Sequence, residues 1–149
     1  MYSVCSSMQI RNLTIDDYNE IISFWNRAAL PYKPRGRDSK SAMEFQMKKN
    51  PGFFLGAYDE NRLVGTVIAS YDYRRGWINR LAVAPKYRRK GVAQELIAAA
   101  EEALRKKGAR IVCAHVEDYN VASLSLFKKY GYVEHHDVVY VSKRDSDEV

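Results

Sequence analysis

The stretch LAVAPKYRRKGVAQELI (residues 81–97) decides the interpretation of this chain. An apolar run ends at Pro85, and apolar residues recur at helical spacing after Gly91, which predicts a strand, a turn and a helix. Four of the five residues from 86 to 90 are basic. Cations at this end of a helix are electrostatically unfavourable, because the helix dipole is already positive there. The stretch therefore indicates that something negative binds between them.

The predicted turn has the parts of an anion site. The first N–H groups of a helix have no internal partner and point outward, and Gly91 has no Cβ to keep an oxygen-rich group from the backbone. Arg88, Arg89 and Lys90 add positive charge, so a diphosphate would fit. Neither GxxxxGK[ST] nor GxGxxG occurs in the chain. The alternative is a strand–helix connection whose basic side chains are merely solvated.

The length, composition and net charge are those of an ordinary globular protein. The 149 residues suit one domain (residues 1–149), with 46% hydrophobic residues and a net charge of +6. A positive balance suggests an anionic partner without separating nucleic acid from nucleotide. No apolar stretch approaches the ~20 residues of a membrane span, and the first ten residues lack the regions of a signal peptide. We expect a cytoplasmic protein away from membranes, with Met1 or Met8 as its natural start.

The remaining sequence predicts strands and helices around this centre. Residues 8–14 alternate as a strand, Thr14 and Asp17 resemble a helix start, and Pro31 stops that first helix. A second helix is predicted at 39–49, and a hairpin from FFLGAY (53–58) and RLVGTVIASYDY (62–73). The central helix is predicted at about 92–107, ending at Gly108, with an apolar stripe of Val92, Leu96, Ile97, Ala100 and Leu104.

The second half continues the alternation. ARIVCAHV (109–116) predicts a buried strand, NVASLSLFKKY (120–130) a short helix, and YVEHHDVVYVSK (132–143) one or two closing strands. The order βααβββαβαβ predicts a mixed α/β fold with strand–helix–strand units in this half.

Two motifs resemble the GNAT superfamily of acetyl-CoA-dependent N-acetyltransferases. The first, RRKGVA (88–93), is similar to the family signature Arg/Gln-x-x-Gly-x-Gly/Ala and follows a family-like strand, LAVAP. The second, NVASLSLFKKYGY (120–132), resembles Asn-x-x-Ala/Ser followed by an aromatic residue and Gly-Phe/Tyr. The resemblance covers most of the chain. It implies an α/β (α+β) fold: a mixed, mainly antiparallel sheet with a central splayed strand pair and helices on both faces.

The resemblance also implies acetyl-CoA as cofactor and assigns its contacts. The CoA diphosphate would be bound by the backbone of Arg88, Arg89, Lys90, Gly91, Val92 and Ala93. Leu81 and Val83 would pair with the amide-rich pantetheine arm, and an N–H near Val83 would stabilise the oxyanion. Asn120 would hydrogen-bond the arm from the other side, and Phe127 would lie beside the sulfur.

The implied reaction moves an acetyl group from the thioester to a primary amine by direct attack in a ternary complex. It needs a base for the ammonium group, donors for the oxyanion and an acid for the sulfur, but no covalent protein nucleophile. Cys113 is therefore expected to be a core residue, and so is His115. Cys5 and Cys113 have no metal-type spacing, and His135, His136 and Asp137 would alternate across a strand, so no metal site is predicted.

The acid is where the chain departs from the family pattern. Tyrosine is usual seven residues after the helix asparagine, and Phe127 at that position cannot donate a proton. Tyr130, one helical turn further, is the candidate acid, and packing at the helix end is its alternative role. A thiol with a pKa near ~8.5 leaves tolerably unaided. Phe127 thus indicates either variation in an active enzyme or a non-catalytic, regulatory acyl-CoA-binding domain.

The candidate general base is Glu117. Some relatives carry a glutamate where this chain has Trp77, which leaves Glu117, Asp118 and Asp72 as carboxylates near predicted strand ends. Glu117 is preferred because it follows the strand on the other side of the splayed gap. Its alternative role is that of a solvated strand end.

The partners are predicted less fully. A nucleic-acid-binding module using Tyr32 and the basic loop 33–37 is a third function, but no RNP, KH or helix-turn-helix signature supports it, so no nucleic-acid partner is expected. The amine acceptor can be a protein N-terminus, a lysine or a small amine. By resemblance, the loop between the first two helices and residues 71–73 would line its site, where the cations suggest a carboxylate or phosphate. Whether the chain is a monomer or a homodimer is left open.

Overall fold

The computed structural model describes residues 8–149 and contains a five-stranded sheet with four α-helices. The predictions that concern residues 1–7, including Cys5, lie outside this described part. In chain order the elements are β1 (Met8–Asn12), α1 (Tyr18–Arg27), α2 (Lys40–Lys49), β2 (Phe54–Asp59), β3 (Arg62–Tyr71), β4 (Gly76–Val83), α3 (Val92–Lys107), β5 (Val112–Ala114) and α4 (Val121–Lys129).

The strands lie in the sheet in the same order as in the chain. Neighbours are antiparallel from β1 to β4, and only the pair β4–β5 is parallel. The parallel pair requires a crossover, which α3 provides. The predicted fold class, a mixed and mainly antiparallel sheet, is confirmed.

Helices cover both faces of the sheet. On one face, the indole Nε1 of Trp25 in α1 donates a hydrogen bond to the hydroxyl of Thr66 at 3.0 Å. On the other face, Leu96 and Val92 of α3 fill the space beside Gly65, where an added Cβ would lie 2.9 and 3.1 Å from them. Gly65 and Thr66 are consecutive in β3, so their side-chain directions point to opposite faces.

The central helix forms as its sequence predicts. The five residues of the apolar stripe are all buried, and burial of a full-sized aliphatic side chain contributes about 1.5–3 kcal/mol. Gly108 ends the helix in the left-handed conformation, with φ of 112°, which glycine adopts without a steric penalty. The helix is therefore fixed against the sheet, and its first turn has a defined position.

The chain after α4 differs from the prediction. Residues 132–143 contain no β-strand, and four side chains there are exposed by 70% or more of their surface: Val133, Val138, Val139 and Val141. The alternation of apolar residues is present, but a strand also needs a partner edge. The neighbouring strand β5 has only three residues, so it offers a short edge for pairing. The predicted closing strands were wrong for this reason.

Candidate active site

Strands β4 and β5 part after three residues. Their pairing joins Gly76 to Val112, Trp77 to Cys113 and Ile78 to Ala114, and β5 ends there. Residues 79–83 continue as β4 and remain paired with β3 alone. The predicted splayed strand pair is thus present, and one edge of β4 is left without a strand partner within the described residues. Leu81 and Val83 lie on this part of β4.

A β-bulge begins where the two strands part. Thr66 is opposite Ala82 and Ile68 is opposite Asn79, so two residues of β4, Arg80 and Leu81, face one residue of β3. Arg80 has a left-handed backbone with φ of 54°, which costs a non-glycine residue roughly 1–2 kcal/mol. Bulges re-aim the strand that carries them. Nothing in the sequence predicted the bulge, because a left-handed backbone is usually signalled by glycine and residue 80 is an arginine.

The Arg80 side chain fastens the loop between α1 and α2 to the bulge. Its guanidinium donates to the carboxylate of Asp38 and to the carbonyl of Pro31, and it lies 5.0 Å from the ring of Trp25. Asp38 is 4% exposed and also accepts a hydrogen bond from the Lys33 N–H at 2.7 Å. The acceptor-side loop expected from the sequence is therefore held against β4 by a nearly buried ion pair.

The turn before α3 has the geometry of an anion-binding helix start. Arg89 and Gly91 are both left-handed, with φ of 63° and 84°, and Gly91 directly precedes the first helical residue, Val92. Left-handed residues in a turn direct successive N–H groups to one side, which favours an anion. The Nε of Arg88 lies 3.3 Å from the carbonyl of Val83. The turn and the free edge of β4 thus form one continuous surface.

Three of the predicted residues lie on helix α4 or at its two ends. The Asn120 side chain accepts a hydrogen bond from the Ser123 N–H at 3.1 Å and caps the helix. Phe127 is buried and packs edge-to-face on Tyr132, with ring centroids 5.0 Å apart. Tyr130 is the partly exposed residue that ends the helix. Phe127 thus has a role in packing, and this role does not depend on whether the side chain also lies beside a cofactor sulfur.

The carboxylates differ in their suitability as a base. Glu117 is exposed three residues after β5, and its carbonyl accepts the N–H of Asn120 at 2.9 Å, so both lie in one turn before α4. Asp72 instead accepts backbone N–H bonds from Arg75 at 2.6 Å and Arg74 at 2.9 Å. These bonds lower the pKa of Asp72, which makes it a weaker base. The lowered pKa therefore counts against Asp72 as the base.

His115 was predicted to be a core residue, and this was wrong. It is exposed, because β5 ends at Ala114 and the chain turns away from the sheet. Its ring lies 4.7 Å from Trp77 and 5.1 Å from Tyr140. An imidazole beside the point where the strands part is a further candidate base. The sequence predicted a buried strand over residues 109–116, and it offered no signal that the strand would end at Ala114, before His115.

Cys113 was predicted to be a core residue, but it is only partly buried, opposite Trp77 in β4, and lies outside the buried core. Burial raises the pKa of its thiol, so the reactive thiolate is disfavoured. This agrees with a reaction that needs no cysteine nucleophile. Within residues 8–149, no three His, Cys, Asp or Glu side chains come together as a metal-binding group.

Comparison with known proteins identifies the family. The sequence model of the acetyltransferase (GNAT) family matches residues 10–132. The chain belongs to the GNAT family. It is 34% identical to an acetyltransferase of Photorhabdus laumondii subsp. laumondii over 138 residues, which are 92% of this chain and 95% of that protein.

Solved structures show the same GNAT fold. The PaiA N-acetyltransferase of Thermoplasma acidophilum, solved in complex with coenzyme A, matches with a TM-score of 0.73 and 23% identity, over 84% of this chain and 89% of that one. AAC(6')-Iy in complex with a bisubstrate analogue matches with a TM-score of 0.76 and 20% identity, over 93% and 99% of the two chains. None of the helices in the described residues has the length and apolar character to cross a membrane.

Proposed function

We propose that this GNAT protein is an N-acetyltransferase that moves the acetyl group of acetyl-CoA to a primary amine by direct attack in a ternary complex. The observation that carries the proposal is the parting of β4 from β5 beside the glycine-led start of α3. An amide-rich arm can pair with the free edge of β4 while a diphosphate lies on the helix start. The CoA-bound structure of a protein with the same fold supports this choice of cofactor.

The residues fit such a cofactor on three counts. The backbone N–H groups from Arg89 to Ala93 lie at the turn and the first helical turn, where helix α3 offers them no carbonyl partner, whereas the N–H of Arg88 already donates to the carbonyl of Pro85 at 3.4 Å. Gly91 leaves the approach free of a Cβ. Arg88, Arg89 and Lys90 are exposed and can move toward phosphate oxygens. The thioester supplies an activated acyl group, and this chain's own residues then bind, orient and move protons.

The proposed roles follow from position. Backbone of β4 near Leu81 and Val83 would hold the arm and donate to the oxygen that gains negative charge. Glu117 would accept the proton of the amine, directly or through water, and Tyr130 would donate a proton to the leaving sulfur. Asn120 would contact the arm from the side of α4, where its amide already caps the helix.

A non-catalytic acyl-CoA-binding domain is the second candidate, because Phe127 replaces the usual tyrosine and is packed on Tyr132. Calorimetric titration with CoA tests the binding that both candidates share and that a nucleic-acid-binding module would lack. Release of free thiol from acetyl-CoA with a panel of amines then separates them. Thiol release that depends on the amine supports the enzyme, and CoA binding without turnover supports the regulatory domain.

A further inference from the structure

The loop between α1 and α2 carries a basic surface that is fastened to the active-site strand. The basic loop (residues 33–37, KPRGR) contains three cations and no carboxylate. The loop is held at both sides by the bonds of Arg80 to Pro31 and Asp38. Its position relative to β4 is thus set by the fold, although its own side chains are largely exposed.

A segment of the same chain lies on this surface. In the acidic segment (residues 145–149, DSDEV), the carbonyl of Asp147 accepts a hydrogen bond from Lys33 Nζ at 2.6 Å. The carboxylate of Glu148 lies 3.5 Å from Arg35 Nε. The basic loop is therefore already matched to a peptide that presents both a backbone carbonyl and a carboxylate.

The close approach of the acidic segment depends on Gly36. A Cβ at this position would lie 2.4 Å from the carbonyl oxygen of Glu148 and 2.9 Å from the Cα of Val149. Backbone atoms at such distances would have to move. The basic loop thus accommodates a peptide backbone, as well as opposite charge, at its centre.

The contact between the acidic segment and the basic loop is weak enough to be reversible. The Arg35 and Glu148 side chains are 82% and 56% exposed, and exposed ion pairs contribute little because water and salt screen them. The acidic segment stays in place chiefly because it belongs to the same chain, which gives it an effective concentration in the range of about 1 mM. An external peptide with the same chemistry can therefore displace it.

The chain that leads to the acidic segment passes the point where β4 and β5 part. Tyr140 packs on His115, and His115 packs on Trp77, where β4 and β5 part. From there the chain continues to Asp147 and the basic loop. The two contacts place this part of the chain between the strand gap and the loop.

From these contacts we infer that the basic loop is the acceptor subsite for an acidic peptide, and that the acidic segment occupies this subsite until such a peptide replaces it. The inference rests on the proposed function for the identity of the acceptor, and it specifies the acceptor class: an amine carried by a peptide with neighbouring carboxylates. The covered loop then favours acidic over neutral acceptors, because only acidic acceptors present a carboxylate that competes with Glu148 for Arg35.

The test uses a peptide in place of an unidentified acceptor. A fluorescent peptide RDSDEV, capped at both ends so that it carries no reactive amine, is titrated without CoA into the full chain, with RNSNQV as its amide counterpart, which lacks the three carboxylates. The triple variant Asp145→Asn, Asp147→Asn and Glu148→Gln should bind the acidic peptide more tightly than wild type, because its own segment competes less. Arg35→Gln in that background should weaken binding roughly two- to fivefold, and added salt should reduce the difference.

Lys106→Gln is the matched control. Lys106 is an exposed cation on α3, paired with Glu102, and its removal changes the net charge by the same amount as Arg35→Gln without touching the basic loop. It should leave peptide affinity unchanged. Equal binding of the acidic peptide and its amide counterpart would overturn the inference, because the carboxylates would then not be recognised. Equal weakening by the two variants would also overturn it, because binding would then reflect net charge alone.

Kinetics add a second readout. With a peptide acceptor that carries a reactive amine, the triple variant should have a lower KM than wild type when the peptide is acidic. The kcat, and the KM for the same peptide with amides in place of its carboxylates, should be unchanged. A fall of both KM values to the same extent would contradict a carboxylate subsite. If CoA fails to bind in calorimetry, the proposed function fails, while the peptide titration still decides whether the basic loop binds acidic peptides.

Discussion

At the scale of single residues, Gly91 has the most demanding conformation in the proposed cofactor site. Its φ of 84° immediately before α3 is a left-handed conformation that costs a β-branched residue the most. The sequence predicted a glycine requirement here from the anion that the turn would bind. The structure adds a second reason, the backbone conformation itself.

Gly91→Val should therefore weaken CoA binding by about tenfold or more, because its side chain crowds the diphosphate and disturbs the turn. The matched control is Gly52→Val: Gly52 has a similar φ of 93°, with open space around its missing Cβ. Both variants should lose stability, by roughly 1–2 kcal/mol. Calorimetric titration separates them, since only Gly91→Val should lose CoA affinity. Equal CoA affinity in Gly91→Val and wild type would mean that the turn before α3 does not bind the CoA diphosphate.

Tyr130 is the proposed acid because Phe127 stands where the family pattern has tyrosine. If Tyr130 protonates the leaving sulfur, Tyr130→Phe should lower the rate of thiol release by about 10²-fold or more. Phe127→Tyr should restore part of that loss in the double variant, because the ring is already accommodated against Tyr132. The measurement is thiol release with a working amine for both single variants and the double. Unchanged rates in all three would show that thiolate protonation is not limiting and that Tyr130 is not the acid.

At the scale of elements, the pair Arg80–Asp38 joins the bulge of β4 to the loop before α2. The two side chains are 14% and 6% exposed, and removal of one partner leaves the other charge nearly buried, at a cost of about 3–5 kcal/mol. Asp38→Asn and Arg80→Met should each destabilise the protein strongly in chemical denaturation.

The double variant of Arg80 and Asp38 should be less destabilised than the sum of the two single variants, because no unpaired charge remains. Lys106→Met is the control for an exposed pair with Glu102 and should change the free energy of unfolding by less than about 1 kcal/mol. Additive losses at Arg80 and Asp38 would mean that the two side chains do not act together. The active-site bulge would then be independent of the loop.

The elements also show what the sequence could predict. Helix α3 was predicted with its boundaries and its apolar stripe, since periodicity and a terminal glycine are local signals. The bulge at Arg80 and the exposed position of His115 were not predicted, because both depend on where β4 and β5 stop pairing. The prediction of closing strands at 132–143 was wrong for a related reason. Alternation is visible in neighbouring residues, whereas the edge with which a strand would pair lies elsewhere in the chain. Within the candidate site, the strand, turn and helix around Gly91 could be predicted from neighbouring residues, whereas the Arg80–Asp38 pair joins positions 42 residues apart.

At the scale of the whole molecule, β4 connects three features: the point where it parts from β5, the basic turn before α3 and the basic loop before α2. The free edge of β4 leads into the turn before α3, and Arg80 of β4 joins the strand to the loop before α2. In the proposed reaction, a thioester donor and an amine acceptor would meet from these two sides of the same strand. The family match over residues 10–132 covers all of these elements.

The most direct test of this account is the initial rate of thiol release measured while acetyl-CoA and an amine acceptor are varied together, with the amine product followed by mass spectrometry. Direct attack in a ternary complex predicts intersecting double-reciprocal lines and one acetylated amine for each thiol released. Parallel lines would indicate an acetylated protein intermediate, which the account does not contain. Thiol release without an acetylated amine, or no amine-dependent release from any member of a broad panel, would contradict the proposal that this chain is an N-acetyltransferase.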